Sequence, residues 1–171
     1  MAKSRSSRKK VSSKKVSPIP KGYHSVIPSI TVKNAEQAIE FYKKAFGAKE
    51  KGKFYMPNTR TILHAELRIG DSAVMLNDEM PEMKALSPPS VGGPSSSLYV
   101  FVNNVDKVFD QAVRAGATPA MPVMDVFWGD RMGQLVDPYG HVWMLATHKK
   151  DLSKKQVEKA GAEFFASMQK Q

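Results

Sequence analysis

The sequence predicts an α+β domain made of two tandem β-α-β-β-β modules, with a disordered basic tail before them and a helix after them. The main observation is an internal repeat. In Val32–Gly47 and again in Val102–Gly116, a β-rich run ends in valine, a helix starts near an Asn, and the helix closes on Gly-Ala. Two copies are too few for a solenoid, which needs at least about three repeats. The repeat therefore predicts one pseudo-symmetric domain, with a cleft between or within its halves.

Composition limits the class of protein. The chain has 171 residues, 42% hydrophobic and 25% charged, which fits one globular domain with tails. No apolar run approaches the ~18 residues of a membrane span, so no membrane partner is expected. The absence of cysteine excludes disulfides, thiolate metal sites and a cysteine nucleophile. Because the N-terminus lacks the apolar stretch of a secretory signal, we expect a cytoplasmic location.

The positive charge is concentrated in the tail. Residues 1–22 contain eight Lys or Arg and no acid, which is +8 of the net +10. This segment has no apolar periodicity, so it is predicted to be disordered. Three roles remain open: a solvated extension, weak nonspecific contact with nucleic acid or another anionic surface, and an organelle transit segment.

The elements of the first module, residues 23–78, follow from local pattern. Ser25–Val32 alternates like a strand, and Pro28 places that strand at a sheet edge or a bulge. Asn34 caps a helix that Gly47 ends. The remaining strands are predicted at Lys53–Met56, Thr61–Ile69 and Ala73–Leu76.

A Pro- and Gly-rich linker, residues 79–94, is predicted to separate the modules and to lie over the cleft. The second module, residues 95–149, repeats the order, with Asn104 and Gly116 at the ends of its helix. Its strands are predicted at Leu98–Val102, Ala120–Asp125, Arg131–Val136 and His141–Thr147, with a turn at Asp137–Gly140. Residues 150–171 are predicted to form an amphipathic helix with a capping box at Ser153 and Gln156. That helix covers the sheet or meets a second subunit.

His64 and Glu66 are candidate catalytic residues because positions i and i+2 of a strand share a face. Alternation puts Ile62, His64, Glu66 and Arg68 on one face and Leu63, Ala65, Leu67 and Ile69 on the core face. If the first face lines the cleft, imidazole and carboxylate form an acid/base pair. A solvated polar stripe and a satisfied buried pair are the alternatives.

The other candidates lie mainly in the second module. Trp128, on an aromatic loop, is predicted to wall a pocket. Arg131 with Asp130 forms either an anion site or an internal ion pair. His141 is predicted to mark the exit of a turn and His148 to lie on the surface.

The chain resembles the vicinal-oxygen-chelate superfamily, which includes glyoxalase I, bleomycin- and fosfomycin-resistance proteins and extradiol dioxygenases. The resemblance covers residues 23–149. It rests on the paired modules, the segment Ala38–Gly47 (Ala-Ile-Glu-Phe-Tyr-Lys-Lys-Ala-Phe-Gly), and the segments Gly129–Gly133 and Asp137–His141 (Asp-Pro-Tyr-Gly-His). It implies a curved mixed sheet that cups a cavity, which many members complete with a second copy. A homodimer is therefore expected.

The resemblance also implies where a family metal would be held. The ligand positions fall at Ile27, at His64 or Glu66, at Ser97 and at Met144. Ile27 and Met144 cannot bind a hard divalent ion, and the Ser97 hydroxyl is a poor ligand. A divalent metal is therefore disfavoured, and no cofactor is expected.

Two functions of different class follow. The favoured one is a small-molecule-binding or resistance-type protein without the usual metal. Its candidate ligand-binding residues are Ser97, Tyr99, Trp128, Arg131 and Met144. The alternative is a metal-dependent or acid/base lyase, isomerase or dioxygenase that uses His64 and Glu66. A weaker alternative is tethering to nucleic acid through the tail.

Overall fold

The computed structural model describes residues 16–168 and confirms the two modules. The first contains β1 (Ser29–Val32), α1 (Ala35–Phe46), β2 (Lys49–Tyr55), β3 (Ile62–Ile69) and β4 (Ser72–Asp78). The second contains β5 (Ser97–Phe101), α2 (Val105–Ala115), β6 (Thr118–Asp125), β7 (Asp130–Val136) and β8 (Val142–His148). The last helix is α3 (Lys154–Met168).

Both module helices begin and end where the sequence predicts. The side chain of Asn34 accepts a hydrogen bond from the Gln37 amide at 3.2 Å, and Asn104 accepts one from the Lys107 amide at 3.0 Å. Such bonds satisfy amides that the first helical turn leaves free. Gly47, with φ 65°, supplies the left-handed residue after α1.

Each module builds a four-stranded mixed sheet. The strand order is β1-β4-β3-β2 in sheet 1 and β5-β8-β7-β6 in sheet 2. The first strand of each module pairs in parallel with the last, and the other pairs are antiparallel. β1 and β5 are therefore both edge strands, and Pro28, just before β1, removes no ladder hydrogen bond there.

One hydrophobic core joins the modules. The helices α1 and α2 pack against each other and against one face of each sheet, which is termed the inner face. Trp143 of β8 is fully buried, and its ring centroid lies 5.3 Å from that of Tyr42 and 4.6 Å from that of Phe46. The opposite face of each sheet, the outer face, carries no module helix.

The predicted face assignment of β3 is wrong at its first two residues. Ile62 is fully buried in the core, whereas Leu63 is 41% exposed. The pairing of β2 with β3 shifts register between Phe54 and Tyr55, opposite this point, and such a bulge reverses the alternation. From His64 to Ile69 the predicted alternation is correct.

The segments outside the modules are placed as follows. The tail is predicted over residues 1–22, and residues 1–15 lie outside the described part of the chain. Pro20 and Gly22 belong to a turn in which the Pro20 carbonyl accepts a hydrogen bond from the Tyr23 amide. In the linker, Pro88–Val91 forms a 3-10 turn. Its Pro88 and Pro89 pack on Gly140.

The last helix begins with the predicted capping box. The Ser153 amide donates to Gln156 Oε1 at 2.9 Å, and the Gln156 amide donates to Ser153 Oγ at 3.4 Å. α3 packs through Gly161 and Phe164 on Phe127. Among residues 16–168, no helix has the length and apolarity to span a membrane.

Candidate functional site

The outer face of sheet 2 brings several predicted ligand-binding residues together. Alternation along β5 turns Ser97, Tyr99 and Phe101 outward, and all three are exposed. The strand register sets Tyr99 beside Met144 on β8, and Ser97 Oγ lies 3.4 Å from the Met144 sulfur. The outcome is an open surface of aromatic rings and thioethers, a combination that adapts to apolar ligands.

Asp130 is the polar centre of this face. Its carboxylate is 6% exposed and accepts hydrogen bonds from three rings. Tyr99 Oη lies 3.2 Å and Trp128 Nε1 3.1 Å from Oδ2, and His148 Nδ1 lies 2.7 Å from Oδ1. Burying a carboxylate is unfavourable unless donors satisfy it. The three bonds stabilise the carboxylate and fix the position of each ring at the surface.

His148 is the partly exposed member of this cluster. Its Nε2 lies 3.0 Å from Oδ1 of Asp151, while Nδ1 faces Asp130. The hydrogen bond to Asp130, followed by that to Asp151, raises the pKa of His148 above its ordinary value. A protonated imidazole therefore stands beside the aromatic surface at mildly acid pH.

Arg131 is held apart from this cluster. Its Nη2 lies 2.7 Å from one oxygen of Asp106, at the start of α2, and its Nη1 lies 3.2 Å from Asp125. Of the two alternatives that the sequence leaves open for Arg131, the structure shows an internal ion pair, but with these acids and not with Asp130. Both bonds lie on the inner side of β7, so Arg131 does not face the aromatic surface.

The outer face of sheet 1 carries His64 and Glu66, but within the described residues no hydrogen bond or ion pair joins them. Glu66 instead accepts the hydroxyl of Tyr23 and lies 3.7 Å from the guanidinium of Arg68. That guanidinium stacks 4.9 Å from the Tyr23 ring and donates to the carbonyl of Gly22. The hydrogen bond to Glu66 raises the pKa of Tyr23. The segment before β1 therefore occupies the carboxylate proposed for acid/base work.

A cleft of about 830 Å³ separates the two sheets at their β1 and β5 edges. Its walls include Pro28, Ile30 and residues 96–103, and Phe46 and Trp143 form part of its floor. Ser97 and Tyr99 line both this cleft and the outer face of sheet 2. A ligand on that face would therefore have room to extend over the β5 edge.

Comparison with known protein families identifies the family to which the chain belongs. The profile described as Glyoxalase/Bleomycin resistance protein/Dioxygenase superfamily matches residues 24–145. The chain belongs to this superfamily. Two mycobacterial proteins are each 39% identical to this superfamily member over 136 residues, which is 78% of the chain. They are protein Mb0911c of Mycobacterium bovis and protein Rv0887c of Mycobacterium tuberculosis. The match covers 89% of the first and 79% of the second.

Solved structures of other proteins share the fold. TioX from Micromonospora has a TM-score of 0.57 at 23% identity, with 76% of this chain and 100% of that chain covered. Protein PA1353 of Pseudomonas aeruginosa has a TM-score of 0.60 at 20% identity, with coverages of 73% and 98%. The fosfomycin resistance protein FosX from Listeria monocytogenes, solved with Mn(II) and a dihydroxypropylphosphonic acid, has a TM-score of 0.55 at 14% identity, with coverages of 78% and 93%.

Of the side chains at the metal positions that the resemblance implies, those of Ile27, Ser97 and Met144 do not fit a divalent ion. Ile27 has no donor atom. Ser97 donates its hydroxyl proton toward the thioether of Met144, and both are poor ligands for a hard cation. Glu66 is engaged by Tyr23 and Arg68. Within residues 16–168, no three His, Asp or Glu side chains are grouped so that they could hold a metal together.

Sequence reasoning groups Asp130 with Arg131 and misses its pairing with His148. The sequence predicts His148 at the surface, beyond the last strand and among lysines. Its side chain is half exposed, but β8 extends through it and pairs it with Asp130. The position of the β7–β8 hairpin turn in the sequence could have indicated this pair. The two residues stand equally far before and after Tyr139, the middle of the Asp137–His141 segment, and antiparallel strands bring such positions together.

Proposed function

We propose that this superfamily member binds a small, partly apolar molecule on the outer face of sheet 2, without the family metal. The observation that supports it is a cluster of exposed rings, in which Tyr99 and Trp128 are held by the buried carboxylate of Asp130 and Phe101 packs on Tyr99. Tyr99 is 40%, Trp128 37% and Phe101 63% exposed. Exposed aromatic rings that a scaffold holds in place mark ligand surfaces, because their burial on binding is favourable and costs little side-chain entropy.

The side chains at the family metal positions support the proposal that the ligand binds without the family metal. In place of charged ligands, the edge of this face carries a hydroxyl and a thioether, Ser97 and Met144. The Met144 thioether extends the apolar surface along β8, and the neutral Ser97 hydroxyl adds no charge beside it. Recognition would then depend on ring stacking and apolar contact, with polar groups at one end only.

A neutral fluorescent probe tests the proposal. N-phenyl-1-naphthylamine becomes bright when it enters an apolar site, so its titration measures binding without a charge contribution. Phe101→Ser is expected to weaken binding about threefold to tenfold through lost apolar contact. Phe54→Ser is the matched control, since Phe54 is 67% exposed on sheet 1. Equal loss in both variants, or no binding by the wild type, would overturn the proposal.

We also propose that two copies associate through α3. Only Gly161 of this helix is buried in the described chain, and Phe165 and Met168 are 57% and 59% exposed. A second copy would cover these side chains. Light scattering after size exclusion is expected to give a dimer for the wild type and a monomer for Phe165→Glu. A monomeric wild type, or a Phe165→Glu variant that stays dimeric, would contradict the proposal.

A further inference from the structure

We propose that His148 is the anion-binding group of this surface, so that its ligands are flat aromatic or conjugated molecules that carry a carboxylate, sulfonate or phosphate. This inference rests on the proposed function, because it names the chemistry of the ligand for the same outer face. Asp130 acts as a positioning residue that holds the imidazole in place, and Tyr99 and Phe101 provide the surface for the rings.

Asp130 determines which nitrogen of His148 faces the ligand. An ionised carboxylate only accepts hydrogen bonds, so the 2.7 Å contact places a proton on Nδ1. Nε2 then points away from the buried carboxylate, toward the exposed side. Since Asp130 is 6% exposed and also held by Tyr99 and Trp128, the imidazole is held at a fixed point of the sheet.

Asp151 shows that an anion fits against Nε2. One of its carboxylate oxygens lies 3.0 Å from Nε2, although the rest of the side chain is fully exposed. An exposed ion pair of this kind stabilises a protein very little. The oxygen of a ligand can therefore take the same position, provided that the remainder of the ligand makes contacts that Asp151 lacks.

The aromatic surface next to His148 supplies those contacts. Tyr99 and His148 bond the two oxygens of the same carboxylate, so both rings border Asp130. The rings of Tyr99 and Phe101 have centroids 5.1 Å apart. Strand register sets Phe101 beside Ala146, two residues before His148 on the same face. A ligand that stacks on these rings can thus direct an acidic group to Nε2.

The charge of His148 makes the site sensitive to pH. The titratable groups against its ring are Asp130 of β7 and Asp151 after β8, and Tyr99 of β5 reaches it through Asp130. Both carboxylates favour the imidazolium. Anion binding should therefore be strong below the ordinary histidine pKa of about 6.5 and be lost as the pH rises through the raised pKa of His148.

A matched pair of probes separates this inference from the proposed function. 8-Anilinonaphthalene-1-sulfonate and N-phenyl-1-naphthylamine share their rings, but only the first carries a sulfonate. In the full chain at about pH 5.5, His148→Gln is expected to weaken the sulfonate roughly threefold to tenfold and to change the neutral probe less than about twofold. Lys107→Gln is the control for general charge attraction, because Lys107 lies exposed on α2 and should affect neither probe.

The outcomes distinguish the two proposals. If the wild type binds the neutral probe but His148→Gln leaves the sulfonate affinity unchanged, the inference is wrong and the proposed function stands. If the wild type binds neither probe, the proposed function itself fails. Asp151→Asn is a second variant that keeps His148; removal of the competing carboxylate should tighten the sulfonate, and weaker binding would overturn the inference.

Discussion

Tyr42 donates a 2.7 Å hydrogen bond to Asp137, and this buried bond joins two of the sequence segments on which the family resemblance rests. Asp137 also accepts Trp143 Nε1 and the backbone amides of Tyr139 and His141, each at 2.9 Å. Four donors thus satisfy a carboxylate that is 4% exposed. The Asp-Pro-Tyr-Gly turn is therefore a structural clamp between α1 and the β7–β8 hairpin.

Removing Tyr42 or Asp137 from this clamp should destabilise the domain by different amounts. Tyr42→Phe leaves Asp137 with three donors and is expected to cost about 1 kcal/mol of unfolding free energy. Asp137→Ala leaves a buried hydroxyl and a buried indole unpaired, so a loss of about 3 kcal/mol or more is expected. Urea unfolding at neutral pH measures both. Equal losses would contradict the clamp.

The same bond should make the domain sensitive to alkali. Burial, together with the charge of Asp137, raises the pKa of Tyr42 well above its ordinary value. The neutral phenol is therefore favoured in the folded state. The stability that the neutral Tyr42 phenol contributes to the domain is fully present below about pH 10. It is lost as the pH rises through the pKa of Tyr42 in the folded state.

Thermal unfolding between neutral pH and pH 11 tests this predicted loss of stability at alkaline pH. The melting temperature of the wild type should fall more steeply above about pH 10 than that of Tyr42→Phe. Tyr23, Tyr99 and Tyr139 also have raised pKa values, but both proteins retain them, so the difference isolates Tyr42. Parallel curves would show that Tyr42 does not carry the effect.

Gly133 should tolerate no side chain. A Cβ there would lie 2.8 Å from the ring of Phe109 and 3.0 Å from a methyl of Val123, because α2 packs closely on β7. Gly133→Ala is expected to cost about 1–3 kcal/mol in urea unfolding. Gly52→Ala is the control, since no atom of any residue other than Gly52 and its two chain neighbours lies within 4 Å of its Cβ position. A neutral Gly133→Ala would contradict the close contact.

Glu66 should control the ionisation of Tyr23. Because the hydrogen bond to Glu66 is the largest cause of the raised Tyr23 pKa, Glu66→Gln should return that pKa toward about 10. Tyrosine carbon shifts followed by NMR across pH measure it. His64→Gln, on the same face without a bond to Tyr23, should leave the value unchanged. An unaltered Tyr23 pKa in Glu66→Gln would mean that the segment before β1 does not cover Glu66.

The parts of the fold that depend on local sequence were predictable. The capping Asn residues, the glycines after the helices and the alternation from His64 onward act within a few residues, so their pattern is visible in the chain. The bulge opposite Ile62 was not predictable, because it depends on how β2 pairs with β3.

The candidate site was only partly predictable for the same reason. Tyr99 and Trp128 were recognised by residue type, but the contacts of Asp130 with Tyr99 and His148 follow only from how the strands lie beside one another. Glu66 was recognised as a reactive type, while its bond to Tyr23 joins residues 43 positions apart. Contacts between distant segments leave no periodic signal in one sequence.

The metal content of the protein tests the central claim most directly. The protein would be purified without a chelator or a polyhistidine tag and examined by elemental analysis, with thermal shift against Ni, Zn, Mn and Fe ions. Ligand binding without the family metal predicts far less than one equivalent of metal and no stabilisation. Near-stoichiometric metal that is lost in Glu66→Ala or His64→Ala would contradict the claim and would favour a metal-dependent enzyme.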